Sequence, residues 1–379
     1  MTRWIAIRMH WGLRIKSATT CWTGNRLNRK TNCRLSPLWA ASRPHVNGWP
    51  TIAAVRSNAL RRCSHPASRR CCAASLPKSL TRLSRWGAAM SIRQSLVDAA
   101  AGGCPTGEIS IEKVACVFLN RQNPDGGFRG KGSQSDLYYT GFALMSLTAL
   151  GYASKLTEPA DFLDRFGYGD DLDLAHLAAL IRSRRLTGRL KPSDADRWAE
   201  RLEAFRCTDG AYHHLFAGAE GSAYGCFLAL GAYQDLGCLP PDTNAMTACL
   251  ERLNADGGYY NESAIPLVST PATAAAATTL TALGQPTDSR AAKWLMTSRD
   301  PDGGFKVMPA APMADLLSTA VALYALRVMG TDLASIRSTD RAFVLALWDK
   351  TIGFWPNRVD HISDCEYCFY GLLSLGHLQ

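Results

Sequence analysis

A short turn recurs through the C-terminal three-quarters of this 379-residue chain and limits what it can become. It reads Asp-Gly-Gly-aromatic at Asp125–Phe128, Asp256–Tyr259 and Asp302–Phe305, with weaker copies at Asp209–Tyr212 and Ile352–Trp355. The steps from Asp209 to Asp256 to Asp302 are 47 and 46 residues, and the last copy follows at nearly the same interval. The 84 residues between Asp125 and Asp209 leave room for one eroded, shortened unit, which makes six. Self-similarity at this period belongs to supersecondary units that bury a face only by stacking on their neighbours.

Each unit reads as two helices. An amphipathic stretch precedes the turn, as in 291–299 and 342–348. A more uniformly apolar helix follows it and runs to Gly151, Gly237, Gly284, Gly330 or Gly376, where glycine is a C-cap signature. The eroded unit supplies 170–181. Apolar and small residues all round the second helix predict burial on every side. Six such helices inside six amphipathic ones predict an all-α fold, a closed α/α toroid of six helix pairs. Asp or Ser before the inner helices (Asp136, Ser222, Asp315, Asp364) reads as an N-cap.

The charge is unevenly placed. Residues 1–89 hold 17 of the 42 Lys and Arg and none of the 32 Asp and Glu, so 90–379 carries a net charge of −7 despite the overall +10. The basic balance therefore says nothing about the body, and a chain-wide nucleic-acid role is excluded. With six Trp, five Cys and no apolar period, 1–89 is expected to stand outside the fold as a basic extension. A translation start set upstream of Met90 accounts for it, with an organellar transit peptide as the alternative. The domain is expected over 90–379. It has no CxxC…CxxC metal knuckle and no run of 18 apolar residues, which predicts free thiols, no membrane span and a cytoplasmic setting.

The segment Gln122–Gly151 resembles the repeat shared by protein prenyltransferase β subunits and squalene/oxidosqualene cyclases. The likeness extends over roughly 116–379, and six units in a chain of this length resemble the β subunit of a Rab-type geranylgeranyltransferase. The resemblance implies a central cavity that accepts an isoprenoid as its prenyl diphosphate, and a helical-repeat α-type subunit as a protein partner. It also implies a zinc ion held by an Asp and a Cys spaced DxC and by a His one repeat later. Counted from the closing glycines, those positions fall on Asp315, Leu317 and Asp364, so two of the three ligands are replaced. A substitute set is Asp315 with His361, Asp364 and Cys365, the last three spaced to share a helix face.

The resemblance also bears on other site residues. Asp315, Tyr138 and Tyr139 stand where catalytic groups are expected, and Arg129 and Lys131 are the basic residues of the first turn. Tyr324, Tyr367 and Phe369 are expected to line the ligand, since aromatic faces suit an apolar chain and carbocationic character. Residues 255–289 contain no Lys or Arg, which leaves the family's diphosphate pocket thinly supplied. The acidic string Asp170-Asp171-Leu172-Asp173 is neither a DxDD nor a DDxxD and reads as a helix N-terminal turn. His213-His214 reads as a solvated loop pair. The leading reading is an isoprenoid-handling transferase with a degenerate zinc site. A non-catalytic toroid holding a lipid or partner peptide is the alternative. An α/α-barrel glycosidase is the third, needing two facing carboxylates such as Asp315 and Asp364.

Overall fold

The computed structural model describes residues 90–103, 109–152, 159–215, 217–286 and 289–379. The basic segment 1–89 and Cys104 lie outside the described residues. The expected pairing of outer and inner helices is what forms. The inner helices are α3 (Leu137–Ala149), α5 (Leu174–Leu186), α7 (Ala223–Leu236), α9 (Thr270–Ala282), α11 (Leu316–Val328) and α13 (Cys365–His377). Each packs on the next, and α13 packs back on α3, closing the ring. Outside them run α2 (Ile111–Leu119), the short α4 (Ala160–Asp164), α6 (Ala195–Glu203), α8 (Thr243–Arg252), α10 (Ser289–Thr297) and α12 (Arg337–Ala346).

The local chemistry repeats with the units. Every inner helix starts on an acceptor side chain: Asp136, Asp173, Ser222, Ser269, Asp315 and Asp364 each accept from a first-turn amide. These caps satisfy donors that a helix start otherwise leaves unpaired. The turn aromatics Phe128, Tyr212, Tyr259, Phe305 and Phe354 are all buried. In three units the amide of that aromatic donates to a Thr one turn into the inner helix: Phe128 to Thr140, Tyr259 to Thr273 and Phe305 to Thr319. A ring worth about 1.5–3 kcal/mol of burial thus locks each turn onto its helix.

The turns add β-structure to the expected all-α plan. Strands β1 (Asn254–Ala255), β2 (Gly258–Glu262) and β3 (Ile265–Val268) form an antiparallel sheet in the order β1-β2-β3, and β4 (Trp348–Asp349) pairs with β5 (Gly353–Phe354). Asp256 and Gly257 have φ of 53° and 92°, the two positive values that a type I′ hairpin turn demands.

Among the described residues one α-helix lies outside the repeat. α1 (Ile92–Gly102) packs on α13, α3 and α7, crossing the ring where the inner helices end. At one end of α1, the Ile92 amide donates to Gln234 Oε1 at 2.8 Å, and Arg93 Nε meets Asp235 Oδ1 at 2.7 Å. Arg182 Nε holds the other Asp235 oxygen at 3.1 Å, so this wholly buried carboxylate is bracketed by two guanidiniums. At the other end of α1, a Cβ on Gly376 would lie 1.7 Å from the Ala99 carbonyl oxygen, and one on Gly103 would lie 1.8 Å from that of Leu372. Gly376 therefore corrects an expectation. It sits inside α13 rather than capping it, and it is bare because another backbone lies against it. Gly151, Gly237, Gly284 and Gly330 do take the left-handed conformation after their helices.

Candidate functional site

The opposite end of the ring, where the inner helices begin, gathers polar groups among aromatic rings. Glu366, in the first turn of α13 and 1% exposed, accepts from the Tyr138 hydroxyl at 2.8 Å and from Tyr370 at 3.2 Å, both on Oε1. Tyr224 of α7 bonds in turn to Tyr138. The network thus joins the first, third and sixth inner helices. Phe142 packs edge-on to Tyr138 at 5.0 Å and against Phe369 and Tyr370, each at 5.6 Å. His176 of α5 lies 6.3 Å from the Tyr138 ring, with its Nδ1 2.8 Å from Asp173.

Burial governs the titration here. Desolvation holds the Glu366 carboxyl well above the usual carboxylate range, and the nearby Asp364 charge adds to it; the tyrosine hydrogen bonds oppose both. Asp364 is pushed up to about 6, chiefly by its own burial. Tyr138 and Tyr370 are raised by burial and then by Glu366. His176 is raised mainly by its hydrogen bond to Asp173. A carboxyl kept protonated beside tyrosine hydroxyls can donate a proton, or a hydrogen bond, to an oxygen or a carbon within reach.

The residues singled out from the sequence separate into groups. Tyr138, Tyr139, Tyr367 and Phe369 surround the Glu366 network, and Gly130 has no Cβ because the Tyr139 ring lies against its backbone. Lys131 lies 5.5 Å over the Tyr367 ring. Arg129 is half-buried on the same turn, its carbonyl 3.6 Å from Cys365 Sγ. Tyr324 does not join them. It belongs to the α1 end, with its ring 5.8 Å from His377 and its hydroxyl near Ser95.

The four residues considered for a metal are not gathered. Asp315 spends both oxygens on Ser318, at 2.7 Å to the amide and 2.8 Å to the hydroxyl, and desolvation raises it to about 6. His361 is exposed and stacked on Trp355 at 4.0 Å. Asp364 caps α13 through Oδ1, and Cys365 is buried with its thiol pushed up by burial. Among the described residues no three His, Cys, Asp or Glu side chains are grouped to hold a metal ion. The donor set does not fit zinc, and no chemistry is routed through one.

His213 and His214 correct a second expectation. They are 7% and 8% exposed rather than solvated, stacked at 4.6 Å, with His213 Nε2 3.0 Å from Glu262 and His214 Nδ1 3.2 Å from Ser222. Glu366 and His176 were not foreseen as site residues. The available signal was a carboxylate two positions past a helix cap inside an otherwise apolar inner helix.

The family model of the prenyltransferase alpha-alpha toroid domain matches residues 106–263 and 272–378. Among solved structures, protein geranylgeranyltransferase-I of Candida albicans complexed with GGPP is similar at 14% identity and TM-score 0.51, covering 71% of this chain and 91% of that one. The type II terpene cyclase MstE from Scytonema is similar at 14% identity and TM-score 0.52, covering 74% and 97%. A variant of that cyclase holds geranylgeranyl dihydroxybenzoate as substrate. At such identities the likeness establishes the fold. No match was found among curated proteins.

Proposed function

The chain belongs to the prenyltransferase alpha-alpha toroid domain family, and from that premise we propose that it binds an isoprenoid chain among its inner helices and acts on it there. The observation that carries this reading is the Tyr224–Tyr138–Glu366–Tyr370 network set against Phe142 and Phe369. Rings from three inner helices offer the apolar walls and negative π-faces that suit a branched alkene and any cationic character it develops. In this reading Glu366 is the proton-holding group and Tyr138 fixes its orientation. One similar protein was solved with GGPP and another with geranylgeranyl dihydroxybenzoate, which makes a C20 chain the natural first probe.

The test is saturable binding of radiolabelled geranylgeranyl compounds to the full chain, followed by product analysis. Stoichiometric binding that weakens at least tenfold in Phe142→Arg is the expected result, and turnover lost in Glu366→Gln would assign the chemistry. Binding without turnover would favour the second reading, a toroid that only holds an apolar ligand. Leu317, buried at the position of the missing cysteine, supports that alternative. Absence of saturable binding by any geranylgeranyl compound would end both.

A further inference from the structure

Resting on the isoprenoid reading, the geometry points to a ligand whose polar head is uncharged and carries a hydroxyl, an isoprenoid alcohol or phenol rather than a prenyl diphosphate. Six helix starts converge at this end, and bare helix starts attract anions through their free amides and dipoles. Here the caps already occupy first-turn amides, and four of the six are carboxylates: Asp136, Asp173, Asp315 and Asp364. Glu366 adds a fifth carboxyl inside the ring. The cations that reach the cluster are few. Arg121 spends its guanidinium on the carbonyls of Val117 at 3.0 Å and Ile352 at 2.7 Å. Arg129 is half-buried on the first turn, and Lys131 is exposed beside Tyr367. A diphosphate would bring several negative charges to a place where burial already disfavours charge on Glu366, Asp364 and Asp315.

A second observation specifies what the head must supply. Asp364 is 1% exposed, and its Oδ2 has no hydrogen-bond partner among the described residues, although Oδ1 caps the helix. Asp364 caps α13 two residues before Glu366, so this oxygen lies at the same helix start. A buried acceptor left unpaired is costly, and a donor relieves it. A hydroxyl is such a donor, and the ionised oxygens of a diphosphate are not. Glu366 Oε2 takes neither tyrosine bond.

Equilibrium binding on the full chain at neutral pH tests this with three probes: geranylgeraniol, its methyl ether and geranylgeranyl diphosphate. Geranylgeraniol is expected to bind at least tenfold more tightly than either of the others. Asp364→Asn keeps a cap of equal strength but removes the charge and the orphan acceptor. It is expected to weaken the alcohol several-fold and to narrow its advantage over the diphosphate, with circular dichroism confirming an unchanged fold. Diphosphate binding equal to or tighter than the alcohol, an ether as good as the alcohol, or a ratio indifferent to Asp364→Asn would overturn the inference while leaving the isoprenoid reading standing. If none of the three binds, both fall together.

Discussion

The two ends of the ring solve the same problem, polar groups enclosed by apolar helices, in opposite ways. Where the inner helices finish, Asp235 is wholly buried but bracketed by Arg93 and Arg182, and α1 lies across the ring. Where they begin, the buried carboxyls Asp364 and Glu366 have tyrosines and amides for company rather than bound cations. Compensated charge marks a built structural joint, whereas carboxyls driven toward neutrality are what the proposed ligand site requires.

The comparison is most sharply broken at Asp235. Asp235→Ala strands two guanidiniums and is expected to cost about 3–5 kcal/mol in urea unfolding. A cost below about 1 kcal/mol would mean that α1 is held by packing alone. Gly376→Ala forces a Cβ into the Ala99 carbonyl and should cost about 1–3 kcal/mol. It should also speed proteolysis within 92–102, and unchanged cleavage there would argue against the close seating of α1.

The other end should announce itself through pH. Asp364 lies at 3.8 when unperturbed and about 6 in the fold, so the folded state holds its proton longer than the unfolded chain. Stability from this group is therefore full below about pH 4, falls as pH rises toward 6, and levels off above. The whole effect is of order 1–3 kcal/mol, at about 1.4 kcal/mol per pH unit. Asp364→Asn should flatten that slope, and a slope that persists unaltered would place the titration elsewhere. Smallest is Tyr138→Phe, which removes one bond to Glu366 and should cost about 1 kcal/mol in thermal unfolding. A neutral or stabilising result would show that Tyr370 alone satisfies the carboxyl.

What could be read in advance follows the range of the forces involved. The six units, the caps at Asp136, Ser222, Asp315 and Asp364, and the left-handed glycines 151, 237, 284 and 330 are local. Each is decided within a few residues, so spacing exposes it. α1 stayed hidden because IRQSLVDAAAG carries no repeat signature, and its role depends on Gln234, Asp235 and Gly376, all far along the chain. Gly376 is ambiguous in sequence for the same reason, since a cap and a close backbone approach both call for glycine. His213-His214 looked polar, yet Glu262 lies 49 residues away and brings the partner that permits burial. Of the site, the tyrosines could be named from the apolar helices carrying them. Glu366 could not be valued without Tyr138, 228 residues distant.

The seating of α1 also carries a consequence for synthesis. The first helix described packs chiefly against the last, with Ala99 against Gly376 and Gly102 near Gln379. A ribosome releases these partners about 280 residues apart, so this helix must wait through most of translation for the surface that covers it. Until then its apolar face and the open edges of the unfinished ring are available to chaperones and to other nascent chains. Yield in a heterologous host should therefore depend on how that interval is managed more than on the stability of the finished ring.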